Sequence, residues 1–90
     1  MYPFEESKQS ENTYIRIFSK DTDEYDLKWH WDEEDRTVEV IGETNWEFQF
    51  DNELPIMINK QIHIPAGKIH RVIKGTTDLK IKIIKNNGIR

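Results

Sequence analysis

The chain has no cysteine, which excludes a disulfide framework, thiolate catalysis and a cysteine-ligated zinc site. It has no glycine-rich phosphate loop, no serine at a nucleophile elbow and no H-E-x-x-H helix motif, so the common sequence signatures of phosphoryl transfer, serine hydrolysis and zinc proteolysis are missing. It has no basic block, and its net charge is −4; a nucleic-acid partner is therefore not expected. No apolar run approaches a membrane span, and the first residues lack the apolar core of a signal peptide. The expectation is a cytoplasmic protein without a membrane partner. No stretch of eleven residues carries a helical period.

Short strands are what the chain does contain. Its 90 residues make one small domain, and 36% hydrophobic content with ten aromatic rings is too much core material for a disordered chain. Met1 to Thr13 is polar and reads as a loose arm or a short edge strand. Tyr14 to Phe18, Tyr25 to Asp32, Arg36 to Ile41, Trp46 to Phe50, Ile56 to Ile58, Gln61 to Ile64, Ile69 to Ile73 and Leu79 to Ile83 read as strands, and residues 86–90 as a polar tail. Seven to nine short strands between turns indicate an all-β sandwich or barrel, with its body at residues 14–85. Ser19 to Glu24 is acidic but lacks the glycine and spacing of a calcium loop.

Two histidines stand out. Pro65-Ala66-Gly67 is a tight-turn sequence, because proline fixes φ and glycine opens positive φ, and His70 follows it at the start of a strand. His30 lies in Lys28-Trp29-His30-Trp31-Asp32-Glu33-Glu34-Asp35-Arg36. Alternation puts Lys28, His30 and Asp32 on one strand face, and Tyr25, Leu27, Trp29 and Trp31 on the other. The two tryptophans need a cover, from a second sheet, the N-terminal arm or a partner subunit. Trp46, Phe48 and Phe50 alternate inward, as barrel core or as pocket wall. His63 reads as a surface or rim residue.

Pro65-x-Gly67-x-x-His70 resembles the second motif of the cupins, proline-x-glycine-x-x-histidine-x-x-x-asparagine. His30-x-Asp32, then acids and Gly42, resembles the first motif: histidine-x-histidine, three or four residues, glutamate, six residues, glycine. The 22 residues between Gly42 and Pro65 leave room for two connecting strands. Against the motifs, Asp32 stands at the second histidine and Lys74 at the asparagine. Counting back from Gly42 puts Asp35 at the glutamate, whereas parity from Val38 and Val40 turns Arg36 inward with Glu34 two residues before it.

The resemblance implies a single antiparallel jelly-roll β-barrel around a pocket, and commonly a homodimer. It implies a divalent metal (iron, manganese, nickel or zinc) held by His30, Asp32, Glu34 and His70. Lys28, Arg36, Trp46 and Phe48 would then line a pocket for a small polar or anionic ligand, with isomerase- or dioxygenase-type chemistry. If Arg36 points inward, it would oppose a cation, and would pair with Asp32 or grip an anion. The alternative is a metal-free cupin acting as a ligand-binding or protein-interaction module.

Overall fold

A computed structural model describes residues 3–86. Eight strands follow one another: β1 (Glu5–Lys8), β2 (Thr13–Phe18), β3 (Asp35–Val40), β4 (Glu47–Phe50), β5 (Ile56–Met57), β6 (Ile62–Ile64), β7 (His70–Ile73) and β8 (Leu79–Asn86). They form two antiparallel sheets, one in the order β1-β2-β8-β3-β6 and one in the order β5-β4-β7. The sheets face each other across one core, to which the first gives Phe18, Val38, Ile62, Ile64, Leu79, Ile81 and Ile83, the second Phe48, and the residue before β4 Trp46. This is an all-β jelly roll, as expected, although the sheets do not close into a continuous ring.

Side-chain alternation explains most of it. Leu79, Ile81 and Ile83 are buried while Lys80 between them is exposed, so β8 lies flat on the core with one wet face. β6 does the same in three residues, with exposed His63 between buried Ile62 and Ile64. Of the two readings of the N-terminal arm, the edge strand is the one observed: Glu5 to Lys8 pairs with Ile17 to Tyr14.

The expected strand over Tyr25 to Asp32 does not form. Asp23 caps a 3-10 turn at Glu24–Asp26, its carboxylate accepting from the Tyr25 amide. The segment joins the ladders only at an isolated bridge, in which the amides and carbonyls of His30 and His70 exchange hydrogen bonds of 3.0 and 2.9 Å. The cluster of acids from Asp21 to Asp26 favours local side-chain caps over a ladder. Leu27 accordingly packs against the core, while Tyr25, Trp29 and Trp31 are exposed.

A tight approach fixes the bend before β8. A Cβ on Gly75 would lie 2.2 Å from Asn45 Oδ1 and 2.8 Å from the Trp46 amide nitrogen. That space is filled because Asn45 Oδ1 accepts from the Thr76 amide, and its Nδ2 donates to Thr76 Oγ1. Gly75→Ala therefore displaces backbone and is expected to cost about 2 kcal/mol, measured as a lowered urea midpoint. Among the described residues no helix is long and apolar enough to cross a membrane.

Candidate metal centre

Two hairpin-like segments meet at the site. The turn before β7 takes the expected form, with Gly67 at φ 79° and the Lys68 amide donating to Pro65 O. It is docked on the His30 segment by two further bonds. The Gly67 amide donates to Asp32 O at 2.8 Å, and the Ala66 amide donates to Asp35 Oδ1 at 2.8 Å. These contacts, with the His30–His70 bridge, bring the two histidines to a ring separation of 4.3 Å. Phe48 stacks on His70 at 5.4 Å and closes its other side.

His30, Asp32 and His70 each offer one ligand atom within 4.8 Å of the others. In each histidine, Nδ1 lies against a backbone carbonyl, Lys28 O at 2.9 Å for His30 and Lys68 O at 2.8 Å for His70. A carbonyl only accepts, so Nδ1 carries the hydrogen, and in the neutral ring Nε2 presents its lone pair. The Nε2 of His70 lies 3.4 Å from Asp32 Oδ2, a buried oxygen with no hydrogen-bond partner. Two acceptors thus face each other at a buried position, an arrangement that costs free energy unless a cation lies between them.

Burial works against a proton in that place. The pKa of His70 is lowered from 6.5, chiefly by burial, with the charges of His30 and Arg36 adding to it. The Lys68 carbonyl and Asp32 act the other way but do not reverse it. Between the lowered folded value and 6.5, the unfolded chain binds more protons than the folded one. The metal-free protein is therefore expected to lose stability as pH falls from about 6.5 into that window. Thermal melts between pH 7.5 and 5.5 should show this slope, and the His70→Gln variant should flatten it.

Arg36 points inward, as strand parity requires. Its Nε donates to Glu34 Oε2 at 2.8 Å, and its Nη1 lies 3.4 Å from Asp32 Oδ1. Two carboxylates surround one guanidinium, so Arg36 does not leave net positive charge beside the histidines. Instead it engages one oxygen of Asp32 and leaves the other to the centre. Burial acts to raise the pKa of Glu34, but the hydrogen bond and charge of Arg36 outweigh it, and the net shift is downward.

Two of the residues singled out from the sequence stand apart from the centre and its cavity. Glu34 lies outside the group of His30, Asp32 and His70, and its Oε2 accepts from Arg36; Asp35, the other candidate for the family glutamate, accepts from the Ala66 amide. Trp46 is fully buried in the core and does not line the cavity.

Behind the centre lies a cavity of about 870 Å³. Lys28, His30, Asp32, Arg36, Phe48 and His70 all line it, so most of the residues singled out from the sequence converge there. The first sheet adds Arg16 and Lys85, and the N-terminal segment adds Pro3, Phe4 and Glu6. None of these was singled out, although Arg16 was legible by parity: it lies two residues before the buried Phe18 on β2. Trp29 and Trp31 face away, and the Arg71 guanidinium covers the ring of Trp29 at 4.3 Å.

No family profile and no curated protein matches the chain. Solved structures do. A chain from the DMSP lyases RdDddP and RnDddQII is similar at TM-score 0.69 and 16% identity, over 91% of this chain and 42% of that one. A cupin-like protein from Thermotoga maritima is similar at TM-score 0.66 and 17% identity, over 93% and 68%. A cupin domain from Bordetella pertussis is similar at TM-score 0.62 and 14% identity, over 94% and 95%.

Proposed function

We propose that this chain, which has the cupin fold, is a divalent-metal-binding cupin that takes a small polar or anionic ligand in its cavity. One observation carries the reading: ligand atoms of His30, Asp32 and His70 cluster within 4.8 Å of one another, and Asp32 Oδ2, 3.4 Å from His70 Nε2, is buried without a hydrogen-bond partner. Two imidazoles and one carboxylate form a donor set that suits iron, manganese, nickel or zinc. Such an ion would supply Lewis acidity or redox chemistry to a bound ligand.

The chain's own residues do the rest. The Lys28 and Lys68 carbonyls fix the tautomer and orientation of the two rings. Arg36 orients Asp32, and Phe48 holds the plane of His70. The reactions this reading favours are isomerisation, oxygen chemistry or lyase chemistry on a small molecule, the last because of the likeness to the DMSP lyase chain. A metal-free ligand-binding module is the second reading, favoured by the inward guanidinium of Arg36.

Elemental analysis separates them. Protein purified without chelator or tag metal is expected to carry near-stoichiometric metal, and to take up zinc or manganese after stripping. Metal absent from the purified protein and no uptake on adding divalent ions would leave the metal-free reading.

A further inference from the structure

Arg16 is a charged side chain in the cavity wall that the centre does not use. β2 turns Tyr14, Arg16 and Phe18 toward the core, and the Arg16 side chain is only 13% exposed. Its Nε and Nη2 both donate to one oxygen, Oε2 of Glu6, its register partner on β1. The Phe4 ring lies 3.8 Å from its guanidinium carbon. Among the described residues no other acceptor engages it, so part of the planar donor fork is left over.

Its position complements Arg36. On β8, Arg16 lies beside Ile81 and Arg36 beside Lys85, four residues apart and on opposite sides of that strand. The two Cα atoms are therefore separated by about 14 Å along the strands and about 10 Å across them. The two guanidinia enter the cavity from different sides, and only Arg36 is tied to the metal centre. On β8 the buried Ile83 lies between these two positions, and Phe18 and Phe48 add apolar surface to the cavity wall.

Charge points to the ligand. Arg16, Lys28, Arg36 and Lys85 face Glu6, Asp26 and Asp32 around the cavity, with Glu34 on Arg36 as the fourth acid. The set is balanced, and a divalent ion would tip it positive. We propose that Arg16 is the carboxylate-recognition residue of the cavity, whose ligand is a small organic acid with an apolar body. A planar carboxylate matches the guanidinium fork, and the hydrocarbon part lies against Phe18, Phe48 and Ile83. The excess positive charge, and the further step that the other end of the acid reaches the ion, rest on the metal reading above; the match of the Arg16 fork to a carboxylate does not.

Glu6 is then the internal competitor of the ligand, and this separates the proposal from a purely structural Arg16–Glu6 pair that pins β1. The probes are propionate and its neutral analogue propionamide, followed by NMR at the Arg16 Nε–H in metal-free and in zinc-loaded protein. Propionate should shift this resonance in both, and propionamide in neither. Glu6→Gln should tighten propionate binding about fivefold by removing the competing carboxylate. Arg16→Gln should weaken it about tenfold or more, and Arg16→Lys should restore part of it. A structural pair predicts instead that both Glu6→Gln and Arg16→Gln lower the melting temperature and neither tightens propionate.

Should Arg16→Gln fail to fold, the direction of Glu6→Gln decides alone. An unmoved Arg16 resonance, or propionate binding unchanged in Glu6→Gln, overturns the proposal. Propionate binding at Arg16 without metal uptake would remove only the metal reading; zinc uptake without a propionate response would remove only the carboxylate site.

Discussion

Asp32→Asn is expected to move zinc affinity and metal-free stability in opposite directions. The substitution is nearly isosteric. In the metal-free protein the new amide can donate to His70 Nε2, replacing the 3.4 Å meeting of two acceptors with a hydrogen bond. Its oxygen can keep the place of Oδ1, 3.4 Å from Arg36 Nη1. An unsatisfied buried acceptor costs about 1–3 kcal/mol, so metal-free Asp32→Asn should be more stable than wild type by about 1 kcal/mol. The loss of the anionic ligand should weaken zinc by on the order of a hundredfold.

His70→Ala should weaken zinc at least as much, but without the gain in stability, since it also gives up the Phe48 stack and leaves a cavity. Saturating zinc raises the wild-type melting temperature by mass action and should leave both variants where they were. Urea unfolding with and without zinc reads both quantities from one set of samples. If Asp32→Asn weakened the metal-free protein, Oδ2 would have a stabilising partner and the case for an ion would fall. If zinc affinity survived in both variants, the centre would be elsewhere.

How far the sequence led depended on whether alternation governed the segment. In β8 and in the run from Trp46 into β4 it did, and Leu79, Ile81, Trp46 and Phe48 are buried as read. Arg36 likewise turned inward, since β3 keeps its parity up to the residue. Turn chemistry was also local enough to read: Pro65 to Gly67 adopts its positive φ because the residue types require it. What failed was the segment with competing caps. Residues 25–32 alternate like a strand, but Asp23 and its neighbours hold a 3-10 turn.

Even there Lys28, His30 and Asp32 reach one cavity, because the His30–His70 bridge imposes extended backbone at that one point. The fate of the three acids was not legible, because it is decided across the chain. Asp32 joins the histidines, Glu34 is held by Arg36, and Asp35 caps a turn more than thirty residues later. No local pattern distinguishes them.

Trp46→Ala is expected to cost about 3–5 kcal/mol, the largest loss from any single truncation considered. For a domain of 90 residues this is a large share of a total near 5–15 kcal/mol. Trp46 is fully buried, lies 5.6 Å from the ring of Phe18, and donates its indole N–H to Thr77 O. Its amide hydrogen bonds to Thr44 Oγ1, so the ring is anchored at both ends. Trp46→Phe keeps most of the apolar area but leaves the Thr77 carbonyl without this donor, and should cost about 1–2 kcal/mol.

Trp31→Ala is the control. The residue is 57% exposed, and removal of its ring should stay within about 0.5 kcal/mol. Urea unfolding followed by far-UV circular dichroism ranks the three variants. A pocket-wall role for Trp46 makes a different prediction, namely near wild-type stability with altered ligand binding. A Trp46→Ala protein as stable as Trp31→Ala would put the ring at the cavity, not in the core. The expected ranking, with Trp46→Ala far below the other two, follows because the two sheets of this small fold share one buried indole and have little else to replace it.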